Sequence, residues 1–244
     1  MTWQYRNEGD MRIALIGYGS MGKSVELRAM ADGHAIATVV TEHHTHFDAA
    51  GLGEALRVAD VAIDFSAAEA VPRNVEACLE AGIPLVEGTT GWQDQRDEVL
   101  AMVDQKGGTL LYGSNFSIGV NLYFRVVEYA AGLYGAFDEY EPFIEEQHHS
   151  RKKDSPSGTA LTLKDLVSQH TDQEISMAAT RAGHIPGTHR VGFDGTAEHI
   201  ELEHSARSRE CFAVGAVVAA EWIRNKKGIF EFSDVVDEKI SRRQ

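Results

Sequence analysis

The 244-residue chain has few cysteines and little positive charge. Its two cysteines, Cys78 and Cys211, are too few for a disulfide scaffold and are typical of the reducing cytoplasm. Lysine and arginine number 23 against 37 aspartates and glutamates, which gives a formal net charge of −14 at pH 7. Because proteins that bind nucleic acid or anionic membranes normally carry a basic surface, this balance argues against both partners.

Long hydrophobic runs are also lacking. The longest apolar run covers residues 211–220, well short of the roughly 18 residues that a membrane-spanning helix needs. The first ten residues are polar and contain no apolar stretch of the kind found in signal peptides. The sequence therefore predicts a cytoplasmic, globular protein.

What the first 115 residues do contain is a regular alternation of short β-branched segments and helical patterns. Strands are predicted at Arg12–Ile16, Ala35–Val40, 61–65, 83–87 and Thr109–Tyr112. Helices are predicted between them, at about 21–30, 71–79 and 93–105. Such alternation is the signature of a parallel α/β sheet.

The pattern changes after residue 115. A helix at 120–133 and an extended segment at 140–147 precede three strand-like runs without intervening helices, at 176–180, 188–193 and 199–204, and a helix follows at 211–224. Consecutive strands predict an antiparallel or mixed sheet. We therefore predict an α/β protein with a Rossmann-type dinucleotide-binding domain (residues 1–114 with 210–244). An α+β substrate-binding and oligomerisation domain with a mixed sheet would comprise residues 115–209.

A glycine-rich loop directly follows the first predicted strand. It consists of Gly17, Tyr18, Gly19, Ser20, Met21 and Gly22. In this spacing the first glycine permits a tight turn, the second lets the backbone approach a pyrophosphate, and the third allows close helix–strand packing. The N–H groups at the start of the helix then face the phosphates. We predict that these six residues bind NADPH or NADH.

The choice between the two nicotinamides stays open. A carboxylate that binds a ribose hydroxyl is expected at the end of the second strand. Thr41 occupies that position, and the nearest acidic residue, Glu42, comes one position later. Both are predicted to lie near the cofactor. This segment contains no arginine that could bind the 2′-phosphate of NADPH, although His43 or His44 could bind it when protonated. No carboxylate or thiol completes a metal-ligand set with these histidines and His46, so no metal is predicted.

The most informative segment is EQHHSRKKDSPSGTA at residues 146–160. Its paired histidines and three consecutive basic residues concentrate positive charge that an anionic ligand would neutralise. Ser155 is predicted to cap the following helix, with Pro156 at its first position. The N–H groups of residues 157–159 would then form a second anion site. Two such elements suit a small dicarboxylate, and histidine and lysine can both donate protons.

This segment resembles the hallmark of the dihydrodipicolinate reductase family, E-x-H-H-x-x-K-x-D-x-P-S-G-T-A, at every fixed position. Other segments similar to the family's lie in the same order at residues 17–22, 64–66, 88–91, 114–121, 181–189 and 204–216. The resemblance implies NADPH- or NADH-dependent reduction of 4-hydroxy-tetrahydrodipicolinate, through dihydrodipicolinate, to tetrahydrodipicolinate in diaminopimelate and lysine biosynthesis. It also implies a homotetramer whose substrate domains pool their sheets.

The resemblance further implies roles for single residues. His148 would be the acid/base group and Lys152 a second proton donor. The substrate carboxylates would be held by His149, Gly158 and Thr159, with Ser157 helping. Further cofactor contacts would come from Gly88, Thr89, Thr90, Gly113, Ser114, Asn115 and Phe116. Three other histidines are predicted to have packing or interface roles: His189, His199 and His204.

Two other functions stay open at this point. A related dehydrogenase of amino acids or amines could share the two-domain plan, but the complete motif at residues 146–160 disfavours it. A regulator that senses nicotinamide without turnover would be expected to lack the histidine–lysine pair. That pair is present here as His148 and Lys152.

Overall fold

The computed structural model describes residues 10–44 and 46–242, and the chain forms two compact units. The first unit contains the described residues up to Ser117 and those from Phe212 onward, and the second is Ile118–Cys211. Residues 1–9, which the sequence analysis assigned to the dinucleotide-binding domain, lie outside the described residues. Within the described ranges, no helix is long and apolar enough to cross a membrane.

A six-stranded sheet with only parallel pairings forms the centre of the first unit. Its strands are β1 (Arg12–Ile16), β2 (Ala35–Val40), β3 (Val61–Asp64), β4 (Leu85–Glu87), β5 (Thr109–Tyr112) and β10 (Gly228–Glu231). Their order across the sheet is β10-β5-β4-β3-β1-β2. Every residue of β3 and β4 is buried, as expected for central strands of a parallel sheet. The predicted Rossmann-type fold is confirmed.

Among the described residues, six α-helices lie in this unit or cross its boundary. They are α1 (Ser20–Ala31), α2 (Ala49–Leu56), α3 (Val71–Ala81), α4 (Arg96–Gln105), α7 (Glu210–Ile223) and α8 (Phe232–Ser241). Helix α2 is not predicted from the sequence. It begins after Asp48, whose carboxylate accepts a hydrogen bond from the N–H of Gly51 at 2.8 Å. Gly53 lets α2 pack closely on α3, because a Cβ there would lie 3.0 Å from the carbonyl oxygen of Ala77.

The second unit combines two helices with a four-stranded sheet. The helices are α5 (Ile118–Tyr134) and α6 (Gly158–Ser168), and the strands are β6 (Glu141–His148), β7 (Ser176–Arg181), β8 (Thr188–Asp194) and β9 (His199–Ser205). The strand order is β7-β6-β8-β9, with β6 parallel to β7 and the other pairs antiparallel. The sheet is therefore mixed, as predicted. Ile144, Leu163 and Val191 belong to its apolar core.

The start of α6 differs from the prediction. Ser157, and not Ser155, is the N-cap: its backbone is extended and its hydroxyl oxygen accepts a hydrogen bond from the N–H of Ala160 at 3.2 Å. The helix begins at Gly158, so Pro156 precedes it instead of taking its first position. The prediction was wrong because both serines satisfy the N-cap preference, and only the fold decides which hydroxyl reaches a helical N–H.

Candidate active site

The glycine loop after β1 has the geometry of a phosphate-binding turn. Gly17 has a φ of +84°, and a Cβ there would lie 2.4 Å from the carbonyl oxygen of Phe65. A Cβ on Gly22 would lie 2.2 Å from the carbonyl oxygen of Gly17, so this position must also lack a side chain. A Cβ on Gly19 would meet no atom within 4 Å. The first and third glycines therefore permit close packing, and the second leaves open space for a ligand.

The N-terminus of α1 is well suited to an anion. Gly19 is its N-cap and provides no capping side chain, and the first turn, which begins with Ser20 and Met21, carries no acidic residue. The partial positive charge of a helix N-terminus favours a phosphate in such a position. Within the loop, the hydroxyl of Tyr18 donates a hydrogen bond to the carboxylate of Glu26 on α1. These residues fit the pyrophosphate of a nicotinamide dinucleotide.

The end of β2 lies beside the glycine loop, since the N–H of Gly17 donates to the carbonyl oxygen of Val40 at 2.9 Å. Thr41 follows directly, and its N–H donates to Nδ1 of His44 at 3.2 Å. A short 3-10 turn begins at Glu42. The neutral Thr41 side chain therefore stands where a ribose-binding carboxylate was expected, and Glu42 lies in the turn that follows.

The loop after β4 contains Gly88, Thr89 and Thr90. Thr89 is buried: its N–H donates to Oε1 of Glu87 at 2.7 Å, and its hydroxyl oxygen accepts from the N–H of Ser66 at 3.1 Å. Gly88 packs against a phenyl ring, because a Cβ there would lie 2.2 Å from a ring carbon of Phe65. Thr90 is exposed. Thr89 thus orders the loop, and Thr90 presents its side chain to solvent.

The segment after β5 contains the other predicted cofactor contacts. Ser114 is exposed, and Gly113 and Asn115 are partly exposed. The side-chain oxygen of Asn115 accepts a hydrogen bond from the N–H of Ser117 at 2.9 Å. Phe116 is only 2% exposed, and its ring lies 4.8 Å from that of Phe232. The Phe116 side chain therefore belongs to the core, and only its backbone is available to a ligand.

In the second unit, the end of β6 carries a buried cluster around His148. Glu146 lies two residues before His148 and therefore on the same face of the strand. Its Oε2 lies 3.4 Å from Nδ1 of His148 and 3.5 Å from Nε2 of His189 on β8. The His148 and His189 rings are 5.0 Å apart and nearly perpendicular. The strand pairing of β6 with β8 makes Glu146 and His189 direct neighbours.

Glu146 is held as a carboxylate despite its burial. Its Oε1 accepts hydrogen bonds from the N–H of Ser157 at 3.0 Å and from Nη2 of Arg181 at 2.5 Å. Burial acts to raise the pKa of Glu146, but the hydrogen bonds from Ser157 and Arg181 outweigh it and lower the pKa. The same Arg181 nitrogen donates to the carbonyl oxygen of Asp154 at 2.6 Å, which ties the loop to β7.

Both histidines of the cluster favour the neutral form. Burial, together with the charge of His148, lowers the pKa of His189 to about 4. Burial also lowers the pKa of His148, and the cations of Lys152 and Arg181 add to this effect against the opposing charge of Glu146. An anionic ligand beside His148 would act in the opposite direction and favour its protonated form.

The donor atoms of Glu146, His148 and His189 lie within 4.8 Å of one another, a spacing that a metal ion could use. However, the guanidinium of Arg181 already neutralises the carboxylate, and Ser157 Oγ lies 3.1 Å from Nε2 of His189. We therefore interpret the group as a buried polar cluster in which Ser157 and Arg181 hold Glu146, and Glu146 and His189 pack against His148.

The loop after His148 forms a cationic surface. Nζ of Lys152 contacts the carboxylate of Asp154 at 2.9 Å. His149 Nδ1 is buried and has no hydrogen-bond partner, and desolvation and nearby cations lower the pKa of His149. Those cations are Arg151, Arg209, Lys152 and Arg181. A Cβ on Gly158 would meet no atom within 4 Å, so the start of α6 leaves room for an anion. Thr159, in the same turn, is partly exposed.

The fold thus brings His148, His149, Lys152 and residues 157–159 into the same unit. From the sequence, no role is predicted for Glu146 or Arg181, and His189 is predicted to have a packing or interface role. Glu146 could have been found from its spacing, because residues i and i+2 of a strand share a face. Arg181 and His189 depend on strand register, since Arg181 pairs with His148 across β7 and β6. No signal within a single segment reveals that register.

Two family models match the chain. One, described as "Dihydrodipicolinate reductase, N-terminus", covers residues 11–116. The other, "Dihydrodipicolinate reductase, C-terminus", covers residues 119–236. Together they span both units.

Curated relatives agree with these matches, and a solved structure shows the same fold. The 4-hydroxy-tetrahydrodipicolinate reductase of Christiangramia forsetii is 38% identical over 240 residues, which cover 93% of this chain and 98% of the relative. The enzyme of that name from Archaeoglobus fulgidus is 36% identical over 261 residues, which cover 93% and 100%. A dipicolinate-bound dihydrodipicolinate reductase from Paenisporosarcina sp. TG-14 shares the fold, with a TM-score of 0.67 at 19% identity, over 91% of this chain and 97% of that one.

Proposed function

Because the chain belongs to the dihydrodipicolinate reductase family, we propose that it reduces 4-hydroxy-tetrahydrodipicolinate to tetrahydrodipicolinate with NADPH or NADH. The observation that carries this proposal is the buried contact between Glu146 and His148 at the edge of a cationic loop. It combines an oriented acid/base group with a surface that attracts a dianion. The first unit serves as the dinucleotide-binding domain, and the second as the substrate-binding and oligomerisation domain.

The substrate carboxylates bind to the cationic loop and to the start of α6. The buried, unpartnered Nδ1 of His149 is one candidate contact, and the N-terminus of the eleven-residue α6 with its open space beside Gly158 is another. Helix N-termini and clustered cations both favour carboxylates. This arrangement selects a small dicarboxylate over a neutral substrate, because only an anion neutralises the loop.

His148 acts as the proton donor. In the free protein it is neutral, since burial and the neighbouring cations lower its pKa. The arriving carboxylates raise that pKa and favour the protonated ring. With Nδ1 facing the Glu146 carboxylate, the other ring nitrogen, Nε2, carries the proton that goes to the substrate carbon next to C4. Lys152 is the second donor, close to the substrate nitrogen.

When bound, a nicotinamide dinucleotide would supply a hydride for C4, once the 4-hydroxyl group has left as water. Residues 17–22 would hold its pyrophosphate, because Gly19 leaves space for it. Residues 88–90 and 113–116 line the nicotinamide side. Thr41 offers no charge to a ribose hydroxyl, so we propose that the protein accepts both nicotinamides, with Glu42 or the histidines beside it setting the preference.

We propose a homotetramer assembled through the second unit. Along β6, buried residues alternate with partly exposed ones. The outer face of the sheet carries Arg190, which contacts Glu145 at 2.7 Å and Glu203 at 2.6 Å. A polar face with internally paired charges suits contact with the same face of another copy. Sedimentation velocity on the full chain measures the assembly directly, and a monomer would contradict this part of the proposal.

Oxidation of NADPH and NADH, measured while the upstream synthase generates the substrate, tests the reaction. We expect absorbance to fall only when both substrate and protein are present, with either nicotinamide. The same preparation should not oxidise amino acids or amines with NAD, which would be the activity of a related dehydrogenase. Nicotinamide binding without substrate-dependent oxidation would indicate a sensing protein and contradict the proposal.

A further inference from the structure

Two carboxyl groups lie side by side in the core of the first unit. Asp64 and Glu87 are the last residues of the adjacent parallel strands β3 and β4, and they are paired in register. Paired residues of neighbouring strands point to the same side of the sheet. Both residues have a relative exposure of 0%. Two ionised carboxylates in such a medium repel each other, so one of them is expected to hold a proton.

Asp64 has the surroundings of the ionised partner. Its Oδ1 accepts a hydrogen bond from the N–H of Ser66 at 2.8 Å, and its Oδ2 accepts one from the side-chain amide of Asn74 at 2.7 Å. The hydroxyl of Thr89 lies 3.4 Å from Oδ1. Burial raises the pKa of Asp64, and hydrogen bonds from Ser66, Asn74 and Glu87 oppose that rise. Donors on both oxygens are what a buried carboxylate needs.

Glu87 has the surroundings of the protonated partner. Its Oε1 accepts one hydrogen bond, from the N–H of Thr89 at 2.7 Å, whereas its Oε2 is buried and has no hydrogen-bond partner. A bare carboxylate oxygen in a protein core costs free energy, but a protonated Oε2 becomes a donor. Burial raises the pKa of Glu87 well above its ordinary value, and the charge of Asp64 raises it further.

We propose that Glu87 keeps a proton at neutral pH, donates it in a hydrogen bond to Asp64, and thereby positions the dinucleotide-binding loops that follow β3 and β4. Because both side chains are fully buried, we assign them a positioning role and no direct contact with the dinucleotide or the substrate. Because the loops lie at the carboxyl ends of parallel strands, they occupy the part of the sheet where ligands of this fold class bind.

Contacts of Asp64 and Glu87 connect the pair to the loops at the carboxyl end of the sheet. Asp64 holds Ser66, and a Cβ on Gly17 would lie 2.8 Å from the Cα of that same Ser66. Glu87 holds the N–H of Thr89, and the hydroxyl of Thr89 accepts from the N–H of Ser66. One acid pair therefore orders three loops, after β1, β3 and β4. A shift of either carboxyl group would be transmitted to the glycine loop.

Other ionisable or charged groups pack around the pair. On α3, burial raises the pKa of Cys78, and the charges of Asp64 and Glu87 raise it further, so that thiol stays neutral. Also on α3, the guanidinium of Arg73 donates a hydrogen bond to the side-chain oxygen of Asn74 at 2.9 Å. Asn74 in turn donates to Asp64, so Asn74 links Arg73 to the pair. On β5, Tyr112 pairs in register with Glu87, but its hydroxyl donates to Glu231 at 2.7 Å. We therefore assign the pH dependence expected for dinucleotide binding to the proton shared by Asp64 and Glu87.

Infrared spectroscopy of the full protein at neutral pH tests the proton directly. The difference spectrum between wild type and Glu87→Gln should contain the carbonyl stretch of a protonated carboxyl group. The control is Glu76→Gln, which removes a glutamate on α3 that lies 3.3 Å from Lys106 and outside the pair; its difference spectrum should lack that band. Absence of the band from the Glu87→Gln difference would overturn the proposal.

Binding of NADPH and NADH, measured by fluorescence titration, tests the positioning role. Glu87→Gln keeps one donor and one acceptor and should bind within about twofold of wild type at neutral pH. Glu87→Leu leaves the N–H of Thr89 unpaired and should bind roughly tenfold more weakly. Wild-type affinity should fall as rising pH removes the shared proton, whereas the affinity of Glu87→Gln should stay constant.

Equal weakening in Glu87→Gln and Glu87→Leu, or wild-type affinity in Glu87→Leu, would contradict the positioning role. If Glu87→Leu does not fold, the infrared band and the pH series of Glu87→Gln decide the matter. The inference rests on the proposed function only in that a dinucleotide binds here. Dinucleotide binding and the infrared band without substrate reduction would refute the reductase and leave the acid pair standing.

Discussion

Nδ1 of His148 lies 3.4 Å from Oε2 of Glu146, and both atoms are buried without a hydrogen-bond partner. The other carboxylate oxygen of Glu146 is occupied by Ser157 and Arg181, so the carboxylate cannot rotate freely. The imidazole is therefore fixed between a held carboxylate on one side and Gly187 on the other. This relationship between a histidine and a carboxylate two residues earlier gives the first prediction.

Glu146→Gln should lower kcat by about 10- to 100-fold, because the neutral amide no longer stabilises a protonated His148. Since the charge of Glu146 raises the pKa of His148, its removal lowers that pKa. The alkaline limb of the kcat/KM profile should then begin at lower pH. Glu141→Gln, at the exposed start of the same strand, is the control and should leave the profile unchanged. An unshifted limb in Glu146→Gln would remove the positioning role.

His148→Gln should lower kcat by about 10²- to 10⁴-fold, the range for loss of a general acid. The affinity for NADPH and NADH should stay at the wild-type value, because the glycine loop lies in the other unit. Steady-state kinetics and fluorescence titration measure the two effects separately. His170→Gln, an exposed histidine near the end of α6, is the matched control. Wild-type turnover in His148→Gln would exclude it as the proton donor.

Lys152→Ala should raise KM for the substrate about tenfold and also lower kcat, since it removes a cation from the proposed carboxylate site and the proposed second proton donor. Lys153→Ala removes the same charge one residue later from an exposed side chain, so it should change KM only slightly. Binding of dipicolinate, a dicarboxylate, gives a readout that does not depend on turnover. If both alanine variants weaken dipicolinate equally, the effect is one of general charge and Lys152 makes no specific contact.

The parallel sheet was predictable because its signals are local. The bounds of β1, β2 and β5 were predicted to the residue, since each is a short β-branched run next to turn residues. Helix α2 was missed because glycines interrupt its eight residues, and its stability comes from packing on α3. Strand β10 and helix α8 were not predicted individually. The family resemblance, carried by motif order, is confirmed by the two family models.

In the candidate site too, the residues of one continuous segment could be predicted from the sequence, and their partners on other strands could not. The motif at residues 146–160 is contiguous in sequence, so its histidines and lysine could be found without a structure. The partners that set their charge come from other strands: Arg181 pairs with His148 across β7 and β6, and His189 with Glu146 across β8 and β6. Register between strands depends on the whole sheet and cannot be deduced from one segment.

Gly187→Ala should damage catalysis as well as stability. Its φ is +146°, and an added Cβ would lie 3.2 Å from Nε2 of His148. We expect kcat to fall by roughly tenfold as the imidazole is displaced. Gly183→Ala is the control, because its φ is +50° but a Cβ there would meet no atom within 4 Å. It should cost about 1 kcal/mol of stability and leave kcat unchanged. Equal kcat values for both variants would show that Gly187 does not position His148.

The buried, neutral His189 should make the protein less stable in acid. Its pKa is lowered from 6.5 to about 4 in the folded protein, chiefly by burial, so between these values the unfolded chain binds more protons than the folded one. The free energy of unfolding therefore falls as pH drops from 6.5 towards 4, by about 3 kcal/mol from this group. Urea unfolding at several pH values measures the slope.

His189→Gln removes the titrating group and keeps a polar side chain beside Ser157. Its unfolding free energy should therefore depend less steeply on pH than that of wild type between pH 6.5 and 4, and the two curves should run parallel above 6.5. His199→Gln, an exposed histidine on β9, is the control and should reproduce the wild-type slope. If His189→Gln retains the full slope, His189 is not the source of the acid sensitivity, and a buried neutral imidazole beside Glu146 is ruled out.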